Sequence, residues 1–138
     1  VPVFYMPAVL FPAKRERALD LLAAARAGTH VISAQVLQEF YNAVTRKLAR
    51  PLDPDDAETA VRHLSQLTVV PADRELVLAA LGLRRRFQFS LRDALIVQAA
   101  LAGGCERLLT EDLRDGMRIG ELVVVNPFLP SGQPVEGG

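Results

Sequence analysis

The chain has one cysteine, no net charge, no glycine-rich phosphate loop and no long apolar run. Each shortage removes a class of protein. A single cysteine, Cys105, cannot form an internal disulfide, and its apolar setting reads as a small buried side chain in a reducing cytosol. Lys and Arg total 16 against 16 Asp and Glu, so no overall field steers the protein to nucleic acid or membrane. Any nucleic-acid contact must come from a local patch. The longest apolar run, Ala94 to Gly104, contains Gln98 and is far too short to span a bilayer. No G-x-G-x-x-G follows a strand candidate, which removes the dinucleotide-binding loop. His30 and His63 lie far apart and, with one cysteine, give no zinc spacing; they read as ordinary surface or core histidines. The apolar residues at the start precede "KRER" instead of following it, so no signal peptide is expected.

What is present is globular composition: 138 residues, half hydrophobic, with 23% charged. That length can bury a core without disulfides or a structural metal. One domain over residues 1–128 is expected, followed by a loose tail, "LPSGQPVEGG", from Leu129. The segments alternate in type. "VPVFY" is a strand candidate, and "RERALDLLAAARAG" (15–28) a helix ending on glycine. "HVIS" is a second strand, and Ser33 can cap the helix "AQVLQEFYNAVTRKLAR". "DPDDAETAVRHLSQL" opens a further helix with acids in its first turn, as the helix dipole favours. "TVV" (68–70), the helix "DRELVLAALGLRRRFQ", a helix over 91–103, "RLLT" (107–110) and "LVVV" (122–125) complete the series. Strands alternating with helices predict a three-layer α/β/α sandwich on a mainly parallel sheet. Sites in such sheets form beyond the carboxyl ends of the strands.

Acidic residues collect at that edge. Asp93 sits in the first turn of a helix that is apolar nearly all round. It reads either as half of a capping box with Ser90 or as a carboxylate that needs a cation. Glu39 belongs to a polar stripe, Gln35, Glu39, Asn42 and Arg46, that begins near Ser33. That stripe is either a solvated face or one wall of a site. In "LLTEDLRDG", a strand leaves the core at Thr110, and Glu111, Asp112 and Asp115 follow it. These are either solvated turn acids or further members of a cluster. Clustered carboxylates repel unless a cation lies between them, and oxygen ligands suit Mg²⁺ or Mn²⁺.

Taken together, "SAQVLQEFYNAVTRK", "SLRDALIVQAAL", "GCERLLTEDLRDG" and "VVVNPF" resemble the PIN domain, especially the ribonuclease toxins of type II toxin–antitoxin pairs. The resemblance runs from Val3 to Phe128 and rests on the order and spacing of the motifs. It implies a compact α/β/α fold and Mg²⁺- or Mn²⁺-dependent endoribonuclease activity in the cytoplasm. Its implied partners are an RNA substrate, a cognate antitoxin and a second copy in a homodimer, with no membrane. By position it implies Glu39, Asp93 and Asp112 as the catalytic and metal-binding acids, with Thr110 orienting the turn and Asp115 and Ser33 in support.

One window departs from the pattern. Where such proteins carry Asp-x-Asn after the first strand, this chain reads Met6-Pro7-Ala8. A thioether is a poor ligand for a hard cation, so Met6 does not replace a carboxylate. The departure leaves a second reading open, a PIN scaffold that binds RNA or an antitoxin without cutting. For phosphate contacts the best patch is Arg84, Arg85 and Arg86 in "LRRRF", with "AKRER" second; a solvated basic face or an antitoxin contact is an equal reading. A phosphoacceptor receiver domain would share the layered fold and acidic pocket. It would need a lysine after a late strand, and the only lysines are Lys14 and Lys47.

Overall fold

The computed structural model describes residues 3–4, 30–46, 50–110 and 112–126. The helix expected at 15–28, Met6 and Ala8, the "AKRER" stretch, Glu111 and the tail from Leu129 lie outside the described residues. Among the described residues ten elements run in order. They are β1 (Val3–Phe4), β2 (His30–Ser33), α1 (Ala34–Arg46), α2 (Pro54–Leu64), β3 (Thr68–Val70), α3 (Arg74–Phe87), α4 (Leu91–Ala102), β4 (Arg107–Leu109), β5 (Arg118–Ile119) and β6 (Leu122–Val125). The six strands form one sheet in the order β3-β2-β1-β4-β6-β5. All pairings are parallel except β5 with β6. The register sets Val3 opposite both His30 and Arg107, and Leu109 opposite Val125.

Local chemistry starts each helix where it begins. Ser33 Oγ accepts the N–H of Val36 at 3.1 Å, Asp53 Oδ1 that of Asp56 at 3.0 Å, Asp73 Oδ1 that of Leu76 at 2.9 Å, and Ser90 Oγ that of Asp93 at 3.1 Å. Each bond satisfies an amide that the helix itself leaves without a partner. Pro54 follows the Asp53 cap, where its fixed φ suits a helix start and its missing N–H costs nothing.

Successive strand residues face opposite sides of a sheet. Leu108 accordingly joins a cluster with Leu76, Ala80 and Leu83 of α3 and Ala94, Val97 and Ala100 of α4, whereas Leu109 packs against Phe40 and Val44 of α1 and Ala57 and Leu64 of α2. Helices therefore cover both faces, in three layers. Ile32, Leu108, Leu122 and Val124 are fully buried at the centre. Gly103 allows α4 to end against β2, since a Cβ there would meet Val31 Cγ1 at 3.0 Å. No described helix is long and apolar enough to cross a membrane. The strands expected at 30–33, 68–70, 107–110 and 122–125 are all present; β5 was not expected.

Candidate active site

The parallel strands end on one edge, and Glu39, Asp93 and Asp112 converge there from three elements. Ser33, buried at the end of β2, starts α1 and so fixes the direction from which Glu39 arrives, more than a turn further along the helix. Gln35 Nε2 donates to Glu39 Oε2 at 3.1 Å, four residues apart on the same face. Asp93 comes from the first turn of α4, whose N-terminus lies at this edge because α4 must run back before β4 begins. Its backbone N–H is taken by Ser90, while its carboxylate accepts from Arg92 Nη1 at 3.4 Å. The capping role and the site role coexist in one residue.

Asp112 comes from the turn after β4. Thr110 is buried, its N–H donates to Val125 O at 3.0 Å, and its Oγ1 accepts the N–H of Asp112 at 3.1 Å. That bond closes the turn and aims Asp112 across the edge. Asp115 does not join the cluster: its Oδ1 accepts the N–H of Asn126 at 2.7 Å and ties the turn to the end of β6. Gly116 completes the reversal at φ +85°, a conformation costly for a residue with a Cβ, and its N–H reaches Val124 O at 2.8 Å.

The group at the centre is one that the sequence reading passed over. Arg92 lies among all three carboxylates. Its Nη2 is 2.8 Å from Glu39 Oε1, its Nε 3.1 Å from Glu39 Oε2, and its Nη1 3.1 Å from Asp112 Oδ2 and 3.4 Å from Asp93 Oδ1. The contact with Glu39 is the two-pronged arrangement that suits a planar guanidinium. Partial burial works against the Arg92 charge. The hydrogen bonds and charges of Glu39 and then Asp112 outweigh it, so its pKa lies above the ordinary guanidinium value. A signal for this residue does exist in the sequence. It is weak: an arginine in the first turn of a helix opposes the helix dipole, so nearby anions favour it there, but such an arginine can equally be a surface residue.

Chemically the edge offers carboxylate oxygens from Glu39, Asp93 and Asp112 to one cation. That donor set fits a hard divalent ion. As arranged, the oxygens are drawn to the guanidinium, and among the described residues no group of three or more His, Cys, Asp or Glu side chains is placed so that it could hold a metal ion; the three carboxylates would have to close in once Arg92 moves away. Arg84, Arg85 and Arg86 stand apart, exposed in the last turn of α3, with Arg86 Cζ 5.1 Å over the Phe87 ring. A cavity of about 490 Å³ opens between α1 and α2, lined by Leu37, Gln38, Tyr41, Asn42, Glu58 and Val61. Its single acid, Glu58, is paired with Arg62 at 2.7 Å, so the cavity carries no free cluster for chemistry.

The model of the PIN domain family matches residues 9–117. Among solved structures, a chain of a toxin–antitoxin complex from Klebsiella pneumoniae superposes with a TM-score of 0.67 at 20% identity. The match covers 93% of this chain and 98% of that one. At that identity the likeness speaks for the fold. No curated protein sequence gives a significant match.

Proposed function

Because the chain belongs to the PIN domain family, we propose that it is a toxin-type endoribonuclease that hydrolyses RNA phosphodiester bonds with Mg²⁺ or Mn²⁺ at the edge where Glu39, Asp93 and Asp112 meet. The observation that carries this reading is the convergence itself. Three carboxylates from α1, α4 and the turn after β4 surround one cationic group beyond the ends of parallel strands. A stability-driven fold has no need to gather like charges there.

Glu39, Asp93 and Asp112 would hold the metal, which when bound activates water and stabilises charge on the phosphate. The chain's own part is positional. Thr110 fixes the Asp112 turn, Ser90 fixes the first turn of α4, and Ser33 sets the approach of Glu39. Arg84 to Arg86 would supply phosphate contacts that give affinity without sequence choice. A cognate antitoxin and a second copy of the chain are the partners this reading carries. The exposed Val77, Leu78 and Leu81 on α3 favour an apolar partner of some kind.

A second reading, a PIN scaffold that binds RNA or an antitoxin without cutting, draws on two observations: Met6 and Ala8 in the sequence, and a guanidinium among the acids. RNA cleavage with added Mn²⁺ separates the two. The enzyme reading expects cleavage that Asp93→Asn abolishes and that a Met6→Asp, Ala8→Asn version exceeds by ~10²-fold or more, the scale of one missing electrostatic group. No cleavage by either chain, with RNA still bound, leaves the scaffold.

A further inference from the structure

The acidic edge already has a cation, and it is covalently part of the chain. Arg92 contacts Glu39, Asp93 and Asp112 together, at 2.8, 3.4 and 3.1 Å. Its side chain is 40% exposed, against 27%, 23% and 34% for the three carboxylates. Arg92 is therefore the most accessible side chain of the group. Its backbone is fixed in the first turn of α4, directly before Asp93, so the side chain can leave without unfolding the helix. An ordinary surface ion pair would satisfy one carboxylate, whereas this arginine lies where three converge.

We infer that Arg92 is a built-in competitor of the divalent metal, an internal cation that closes the acidic site until an ion displaces its guanidinium. The inference rests on the metal-site reading proposed above and concerns the regulation of that site. Two like-signed groups cannot share the same carboxylate oxygens at these distances. A metal that takes the oxygens must drive the guanidinium outward, and it loses the Coulombic gain that Arg92 had already supplied. The site in this chain should consequently be weak for metal even where its carboxylates are intact. Removing Arg92 should strengthen metal binding, the reverse of what removing a positioning residue does.

The test is Mn²⁺ binding, followed by electron paramagnetic resonance of free Mn²⁺ and by calorimetry, with no RNA present. The full-length chain is compared with Arg92→Gln, Arg92→Met and Arg92→Gln/Asp93→Asn. Partly exposed ion pairs are each worth up to a few-fold, so displacing Arg92 from three of them predicts Mn²⁺ binding on the order of 10-fold tighter in Arg92→Gln and Arg92→Met. Binding should be lost again when Asp93→Asn is added. Without metal, Arg92→Gln should melt below wild type, because its three carboxylates face one another unshielded, and Mn²⁺ should raise its melting temperature more than that of wild type. Equal or weaker Mn²⁺ binding in both arginine variants, with wild-type binding still removed by Asp93→Asn, overturns the role of Arg92 and leaves the metal site standing. Absence of binding in every variant overturns the metal-site reading and the inference with it. Arg92→Met keeps most of the aliphatic stem, so a fold defect confined to Arg92→Gln does not decide the outcome.

Discussion

Thr110 and Cys105, at opposite ends of β4, show how single side chains around that strand divide the work. Thr110 is buried at the end of β4, and its Oγ1 takes the N–H of Asp112. Replacing it with valine keeps the shape and removes the acceptor. We expect Thr110→Val to lower stability by about 1 kcal/mol, the net worth of one hydrogen bond, measured by urea denaturation. The larger consequence should be a looser Asp112, visible as weaker Mn²⁺ binding. Cys105 lies in the turn between α4 and β4, away from the acidic edge, and burial pushes its thiol from the ordinary 9.0 up to about 11. Below pH 9 the thiol is neutral in both folded and unfolded chains and adds no pH dependence. Between pH 9 and about 11 only the unfolded chain ionises, so it binds fewer protons than the native state and stability falls. The stability difference between wild type and Cys105→Ala should therefore be flat up to pH 9 and shrink above it. A difference that stays constant to pH 11 would mean that the native thiol ionises as easily as a free one.

At the scale of elements, α4 carries most of what the site needs in twelve residues. Its apolar body, with Ala94, Val97, Ala99 and Ala100 fully buried, anchors it between α3 and the sheet, and its first turn holds Arg92 and Asp93 at the open edge. Ser90→Ala should cost about 1 kcal/mol by the usual worth of an N-cap. It should also fray that first turn, so hydrogen exchange at Asp93 and Ala94 should accelerate more than at Ala99. Uniform acceleration along α4 would show that the cap supports the whole helix and has no local role. The caps explain why so much of the fold was legible. Ser33, Asp53, Asp73 and Ser90 announce helix starts by residue type alone, and the strands "HVIS", "TVV" and "LVVV" are β-branched runs between them. β5 was not legible because two residues, Arg118 and Ile119, have no periodicity. It exists only as the antiparallel partner of β6 across Gly120. Arg92 was hidden for a different reason. Beside Asp93 in sequence it reads as a surface pair, and only the arrival of Glu39 from 53 residues away and of Asp112 from 20 residues away gives it a role. Spacing along a chain carries helix faces well and carries nothing about which loops meet.

For the molecule as a whole, the balance of 16 basic and 16 acidic residues matters more to RNA binding than to folding. With no net field, association with a polyanion must be carried by whichever cations lie together, and the acidic edge itself repels phosphate unless a cation covers it. Arg84, Arg85 and Arg86 form such a group at the end of α3, and Gln88 to Ser90 join it to the first turn of α4. Arg86 is held over the Phe87 ring, which in turn stacks on Phe89 at 5.4 Å, giving this turn an aromatic support next to its charges. If these three arginines are the phosphate contacts, single-stranded RNA should bind with a shallow salt dependence. About 0.7 of log–log slope is expected per phosphate neutralised, and so a total of roughly 2. Arg84→Ala and Arg85→Ala should each lower that slope by about 0.7 and weaken binding evenly across RNA sequences. Arg86→Ala should do the same and also loosen the Phe87–Phe89 pair. A slope of 4 or more, or one that the arginine substitutions leave unchanged, would place the phosphate contacts elsewhere on the chain and make the last turn of α3 an ordinary solvated end.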